Sequence, residues 1–250
     1  MASKYYSGVV PKKKIINKIV VSASAIAAIF WGSNVYAADS QCLAAVAPKA
    51  NLKGCDLTGA DLRGKDLSGA NLSEANLTGA ILTGANLKEV NLFNTNLSLA
   101  NLTDTNLYRA KIKNVDFSGA ILKNTDLLEA NINGIKLNNT DASKANFQSS
   151  KLNNVVAVNS KFDRANFNEA TITNTTLNSN SFTQANLSKI QIQSVQLNGV
   201  DLNEVELSEG NFFNGKFDNV LSDAIYSIFL GAGLSVGLVI LSQKQKRAKS

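Results

Sequence analysis

Apolar residues recur at every fifth position from Leu52 to Phe217 without a change of phase, over 34 consecutive positions. Leu occupies 21 of these positions, Phe seven, Ile four and Ala two. The residue two places before each is small or β-branched in almost every unit, and the residue between the two is usually polar. A five-residue period fits neither an α-helix, with 3.6 residues per turn, nor a plain strand, with a period of 2. The pattern therefore predicts a solenoid of short repeats.

The unit from Ala70 to Glu74 shows how such a repeat can form a coil. Three extended residues place Ala70 and Leu72 on one side of the chain and Asn71 on the other. The last position of the unit is Gly or Asn in 18 of the 34 units, and these residues tolerate a positive φ. Repeated bending in one sense is expected to enclose the Ala and Leu side chains and to leave the polar side chains outside.

Units such as Ala60-Asp61-Leu62 and Ala100-Asn101-Leu102 resemble the A(D/N)LXX motif of the pentapeptide-repeat family, and the resemblance covers residues 50–219. It implies an all-β fold, a right-handed quadrilateral β-helix with four units in each coil. The 34 units would then make about 8.5 coils. Every twentieth residue should stack in a column. Thr140, Ser160 and Asn180 form one inward column, and we expect these polar side chains to be hydrogen-bonded.

The N-terminal 37 residues have the features of a secretory signal peptide. A basic stretch at Lys12 precedes the apolar segment 19–31, and small or modest residues around Ala37 predict cleavage after that residue. The alternative is an uncleaved anchor. Residues 38–49 are predicted to cap the solenoid, which is expected to occupy residues 50–220.

A second apolar run, residues 224–241, predicts a transmembrane helix of about 27 Å. The basic segment 242–250 follows it and would lie in the cytoplasm according to the positive-inside rule. The alternative is a helix that covers the open end of the solenoid. Gly233 and Gly237 have the GxxxG spacing that lets two membrane helices approach closely, which makes them a candidate helix-dimer face and predicts a homodimer.

Two further groups of residues are candidates for structural or binding roles. Cys42 and Cys55 could form a disulfide in an oxidising compartment, or remain as two buried thiols. Residues in two neighbouring outward columns should form a patch, with a charge ladder in one column beside a Tyr–Leu pair in the other, unless they are ordinary surface. This candidate binding patch consists of Lys88, Glu89, Tyr108, Arg109, Leu128 and Glu129.

Charge and composition restrict the function. The chain carries a formal charge of +6 and contains no His, which rules out His-based triads and ordinary His/Cys zinc sites. Residues 50–220 contain 15 basic and 17 acidic residues, so the excess of basic charge lies at the two ends. We expect no catalytic residue, cofactor, metal ion or bound nucleic acid.

The predicted function is that of a non-enzymatic, exported scaffold, tethered to the membrane by its C-terminal helix and bound to an unidentified protein. The repeat domain would lie in a bacterial periplasm or thylakoid lumen, and the resemblance makes a cyanobacterial source plausible. The resemblance also offers a gyrase-binding DNA mimic as an alternative, although mimicry needs a strongly acidic rod. A secreted effector or adhesin is the third interpretation.

Overall fold

The computed structural model of the chain describes residues 38–220 and 241–242. The repeat units form a right-handed β-solenoid in which each coil pairs in parallel with the next. One ladder starts at Asn51, passes through Asn71 and Asn91, and continues one coil at a time to Asn211. In this ladder each residue stacks on the residue 20 positions earlier, because each coil repeats the path of the previous one.

Four units complete one coil, so the solenoid has four faces. Face 1 contains units 50–54, 70–74 and every later unit in the same register, and face 2 starts in the same way at 55–59. Face 3 starts at 60–64, and face 4 starts at 65–69. The predicted four-sided cross-section is therefore present in the pairing pattern.

Faces 1 and 2 contain all of the regular strands, whereas faces 3 and 4 are joined by single parallel bridges. The seven-stranded sheet of face 1 consists, in order, of β1 (Asn91–Phe93), β2 (Lys111–Lys113), β3 (Asn131–Asn133), β4 (Lys151–Asn153), β6 (Thr171–Thr173), β8 (Gln191–Gln193) and β10 (Asn211–Phe213). The five-stranded sheet of face 2 consists of β5 (Val156–Val158), β7 (Thr176–Asn178), β9 (Gln196–Asn198), β11 (Lys216–Asp218) and β12 (Leu241–Ser242).

The polar residue at the second position of the unit stabilises the turn that follows it. Asp56 Oδ1 accepts a hydrogen bond from the Thr58 N–H at 3.0 Å, and Asp116 Oδ1 accepts one from the Ser118 N–H at 2.9 Å. A short acceptor side chain is needed for this bond, which explains the preference for Asp and Asn. The last residue of the unit then takes a positive φ, as at Gly54, where φ is 69°.

The interior contains the predicted apolar positions, with Leu52 and Leu102 both 0% exposed. The polar groups of the inward column of Thr140, Ser160 and Asn180 form hydrogen bonds. The Thr140 N–H donates to Ser160 Oγ at 3.0 Å, and the Ser160 N–H donates to Asn180 Oδ1 at 2.8 Å. The Thr140 hydroxyl and the Asn180 amide each donate to a backbone carbonyl of the preceding coil at 2.9 Å. The prediction that this column is hydrogen-bonded is confirmed.

The N-terminal end carries helix α1 (Ser40–Ala44). Asp39 is its N-cap, with Oδ1 accepting from the Gln41 N–H at 2.8 Å, and the Asp39 N–H donates to the Asp56 carbonyl at 2.8 Å. Cys42 and Cys55 form a disulfide between this helix and the first coil, with their Cα atoms 5.8 Å apart. The helix is thus attached to the solenoid by both a covalent bond and a backbone hydrogen bond.

The prediction of a C-terminal transmembrane helix is wrong. Leu241, the last residue of the predicted span, lies in β12 and pairs in parallel with Phe217 of β11. A residue in a strand ladder cannot also continue the hydrogen bonds of a helix. Within residues 38–220 and 241–242, no helix is long and apolar enough to cross a membrane. Residues 1–37, 221–240 and 243–250 lie outside the described residues, so the predicted signal peptide and the Gly233–Gly237 face are not described.

Candidate functional site

The candidate binding patch lies on face 4 and is built from three successive coils. The same turn positions each outward side chain, because the N–H groups of Lys88, Tyr108 and Leu128 each donate to the Asn or Asp side chain two residues earlier. Backbone bonds hold the coils in register, with the Glu89 N–H donating to the Tyr108 carbonyl at 2.8 Å. The Arg109 N–H donates in the same way to Leu128 at 3.0 Å. The patch is therefore mounted on a rigid backbone.

Two cations contact the aromatic ring at the centre of the patch. Lys88 Nζ lies 5.3 Å from the ring centroid of Tyr108, and Arg109 Cζ lies 4.8 Å from it. Both distances are within the range in which a cation is attracted to the face of an aromatic ring. These contacts restrict the ring and the two basic side chains before any partner binds.

Ion pairs connect the remaining charged members of the patch. Arg109 Nε lies 2.6 Å from Glu129 Oε2, and Lys88 Nζ lies 3.8 Å from Glu89 Oε1. The hydrogen bond that Arg109 donates to Glu129 raises the pKa of Arg109, which stays protonated. The sequence predicts a ladder from Glu89 through Arg109 to Glu129, whereas the structure pairs Glu89 with Lys88 instead.

Tyr108 and Leu128 are both half-buried rather than fully exposed. Neighbouring side chains cover part of each one, so the patch exposes less apolar surface than the sequence predicts for a Tyr–Leu pair. The structure nevertheless brings all six predicted residues onto one surface. Their arrangement can bind a protein by an aromatic contact flanked by charges of both signs.

Sequence reasoning missed a different group of exposed apolar side chains. Leu99, at 67% exposed, is the most exposed of these, and its side chain extends over Gly119 of the next coil. Ile121 and Val156 are 39% and 43% exposed. The available signal was an apolar residue at an outward position of the repeat. These residues lie on faces 2 and 3, away from the candidate binding patch.

The part of the chain that the structure describes does not bring together the side chains that a metal site needs. No group of three or more Cys, Asp or Glu side chains there is placed to hold a metal ion. The two cysteines are joined to each other in the disulfide. Their sulfur atoms are consequently unavailable as thiolate ligands.

A family model described as pentapeptide repeats matches the chain in eight copies, over residues 50–88, 85–124, 106–141, 143–178 and 158–195. The chain is similar to HetL, a pentapeptide repeat protein of the cyanobacterium Nostoc involved in heterocyst differentiation regulation. The identity is 26%, over 64% of this chain and 82% of HetL, with a TM-score of 0.34. No curated protein matches the chain.

Two further solved structures are similar to the chain. QnrB1, a plasmid-mediated fluoroquinolone resistance protein, is 15% identical over 66% of this chain and 83% of its own, with a TM-score of 0.45. A pentapeptide repeat protein from the Arabidopsis thaliana thylakoid lumen is 27% identical over 39% of this chain and 65% of its own, with a TM-score of 0.20.

Proposed function

The chain belongs to the pentapeptide-repeat family, and we propose that it is a non-enzymatic scaffold that binds a protein partner through the candidate binding patch. The observation that carries this proposal is the Tyr108 ring held between Lys88 and Arg109. Tyr and Arg are enriched among the residues that dominate the energy of protein interfaces. In this function, face 4 recognises the partner and the protein acts by binding alone.

Preorganisation supports the same assignment. An interface loses free energy when binding immobilises flexible side chains, at roughly 0.5–1.5 kcal/mol for each one. Here the Arg109 guanidinium is already held by Glu129 and by the Tyr108 ring. The partner would therefore meet a surface whose long side chains have lost much of their freedom in the free protein.

We also propose that the protein is exported to a periplasm or thylakoid lumen. The Cys42–Cys55 disulfide supports this location, because such bonds persist in oxidising compartments and are rare in the cytosol. The basic stretch and apolar segment in residues 1–37 support it independently. No membrane tether is part of this proposal.

Loss of the patch tests the binding function. The full-length chain carrying Tyr108→Ala and Leu128→Ser should lose most of its in-cell crosslinks to the partner, measured by quantitative mass spectrometry. Its melting temperature should stay close to that of the wild type, because both residues project outward. A matched control, Leu99→Ser with Ile121→Ser, removes apolar surface from other faces and should leave the crosslinks intact. Equal crosslinking by the patch variant and the wild type would dismiss the patch.

The export proposal has its own test. Protein isolated from cells with thiols alkylated at lysis should begin at Ala38 and should contain no alkylated cysteine. Alkylation after reduction is the control and should label both Cys42 and Cys55. An intact N-terminus together with two alkylated thiols would show that the protein stays in a reducing compartment.

A further inference from the structure

Charge is distributed unequally over the four faces of the solenoid, although residues 50–220 are nearly balanced overall. Face 1 has four lysines and one carboxylate, whereas face 4 has four basic residues and seven carboxylates. The charged residues of face 1 are Lys53, Glu74, Lys111, Lys113 and Lys151. After Glu74, the units of face 1 contain no further carboxylate. This distribution appears only when the sequence is read in the columns that the stacked coils define.

The lysines in the middle of face 1 are exposed and form no ion pair with another residue that the structure describes. Lys53 pairs with Glu74 at 3.2 Å. In contrast, Lys111, Lys113 and Lys151 are exposed and take part in none of the ion pairs formed within residues 38–220. Lys113 Nζ lies 5.4 Å from the ring centroid of Phe93, a contact that leaves its charge uncompensated. The three charges are therefore available to an external group.

The amide side chains beside these lysines also present donors. Asn153 Oδ1 accepts hydrogen bonds from Thr173 Oγ1 at 2.9 Å and Asn174 Nδ2 at 3.0 Å. Asn133 Oδ1 accepts one from Asn154 Nδ2 at 3.2 Å. The Nδ2 groups of Asn133 and Asn153 make no hydrogen bond within the described part of the chain. The Oδ1 atoms of Asn133 and Asn153 are thus used internally, whereas the Nδ2 groups of these two residues remain available.

A shallow depression of about 440 Å³ extends across β3, β4, β6 and β8, and Lys151 is the one of the three lysines that lines it. Its outward polar members include Asn133, Lys151, Asn153 and Thr173. Lys111 and Lys151 are two coils apart, about 9.6 Å between Cα atoms, whereas Lys111 and Lys113 are about 6.7 Å apart along one strand. We call the outward side chains of face 1 from Lys111 to Gln193 the Lys-rich face.

We propose that the Lys-rich face binds an acidic polypeptide segment of the partner. Three ammonium groups without acidic partners and a row of amide donors complement carboxylate side chains in both charge and hydrogen-bonding capacity. Successive same-side residues of an extended segment are about 6.8 Å apart, which is close to the spacing of Lys111 and Lys113 along their strand. This inference rests on the proposed scaffold function and adds the chemistry of the partner.

The surroundings of the Lys-rich face favour a polypeptide over a nucleic acid. Nucleic-acid sites combine Lys and Arg with stacking aromatic side chains. The described part of face 1 has Phe93 beside Lys113 but has no Arg. The adjacent face 4, with seven carboxylates and four basic residues, would also disfavour a second phosphate strand. A narrow acidic segment lies on face 1 without contacting those carboxylates.

The test measures binding of the full-length chain to a labelled peptide of alternating Glu and Ser by fluorescence anisotropy at low salt. The wild type should bind this peptide and should not bind the same peptide with Gln in place of Glu. Replacing Lys111→Gln, Lys113→Gln and Lys151→Gln together should weaken binding by about tenfold, because each exposed charge pair contributes modestly.

A second triple variant separates the effect of where the lysines lie from the effect of net charge. Lys123→Gln, Lys144→Gln and Lys161→Gln remove the same charge from face 3 and should change the affinity by less than about twofold. Both variants should keep the wild-type melting temperature. Equal weakening by the two variants would show a response to net charge alone and would overturn the inference.

Three other results would also overturn it. Tighter binding of an oligothymidylate of the same length would make nucleic acid the ligand. A dimer in sedimentation that disappears in the face 1 variant would make a second copy the occupant. Failure of the Glu peptide to bind, while the patch variant still loses its partner crosslinks, would remove this inference and leave the proposed function standing.

Discussion

The N-terminal and C-terminal coils share one repeat but enclose their interiors to different extents. Leu52 and Leu57 are 0% exposed, whereas Leu177 and Ile192 are each 7% exposed. Near the C-terminal end of the array, inward residues such as Leu207 are only partly buried. An apolar cavity of about 40 Å³ lies among the side chains of these last coils.

The difference follows from what fills each coil. The early coils alternate Ala and Leu, which together suit the narrow cross-section that the backbone sets. The later coils place Val or Ile, and finally Gly, at the small position, and Phe at several of the large ones. Because interiors are close-packed, a mismatch in volume leaves gaps. The period of the repeat therefore sets the path of the chain, and side-chain volume decides how well each coil is sealed.

The largest expected effect comes from a charge placed in the sealed region. Leu102→Asp buries an unpaired carboxylate at a position that is 0% exposed, and it should abolish folding or cost several kcal/mol. Leu202→Asp, at a position that is 6% exposed, should cost less, because the charge can reach water. Chemical denaturation measures both. Asn101→Asp is the outward control and should change stability little; equal losses at Leu102 and Leu202 would remove the difference between the two regions.

The next effect concerns the closed N-terminal end. Cys42→Ser with Cys55→Ser removes a covalent link across 13 residues, which should lower the free energy of unfolding by about 3 kcal/mol. Amide hydrogen exchange should become faster in the first coils and remain unchanged in the last ones. Reduction of the wild type should reproduce the change. Uniform acceleration along the solenoid would show that the helix does not protect the N-terminal end locally.

A smaller effect is expected in the inward polar column, between the two regions. Ser160→Ala leaves the Thr140 N–H without its acceptor and should cost about 1–3 kcal/mol, the penalty for an unsatisfied buried group. Ser118→Ala, an outward substitution, should cost less than about 0.5 kcal/mol. Thermal denaturation of both variants checks the prediction. A neutral Ser160 variant would mean that the coils adjust to restore the bond.

The smallest effect is a pH dependence in the first coil. Hydrogen bonds from the Arg63 side chain, and then from its backbone N–H, lower the pKa of Asp61 from 3.8 to about 2. Because the folded pKa is depressed, the stabilisation is present above pH 3.8 and is lost as the pH falls toward 2. Asp61→Asn should lower the melting temperature slightly at pH 7 and by less at pH 2, and the effect is small since Asp61 is more than half exposed. An equal change at both pH values would contradict this assignment.

Individual residues show how far the sequence alone could be interpreted. The inward position of Leu102 and the outward position of Asn101 follow from the period. In a coil of regular repeats, each position of the five-residue unit always faces the same side. The columns through Lys88, Tyr108 and Leu128 follow from a coil of four units. The pairing of Glu89 with Lys88 does not follow, because rotamers of long exposed side chains are not set by the period.

The C-terminal apolar run shows what the sequence alone could not predict. Residues 224–241 are apolar enough for a membrane helix, and composition alone does not show that Leu241 lies in a strand. The pairing of Leu241 with Phe217 depends on the open edge of β11, which exists only once the preceding coils have formed. An unpaired strand edge offers backbone hydrogen bonds that a local pattern of hydropathy cannot reveal.

The amino-acid sequence by itself determined the solenoid and its inward and outward residues, because a repeat of five residues imposes one local geometry at every unit. The column to which each side chain belongs followed from the coil of four units that the resemblance to the family implies. The tertiary structure decided which column neighbours contact each other, how tightly the side chains of each coil pack and that Leu241 pairs with Phe217. These properties depend on side-chain volumes and on partners from neighbouring coils, so they are settled only when the coils stack.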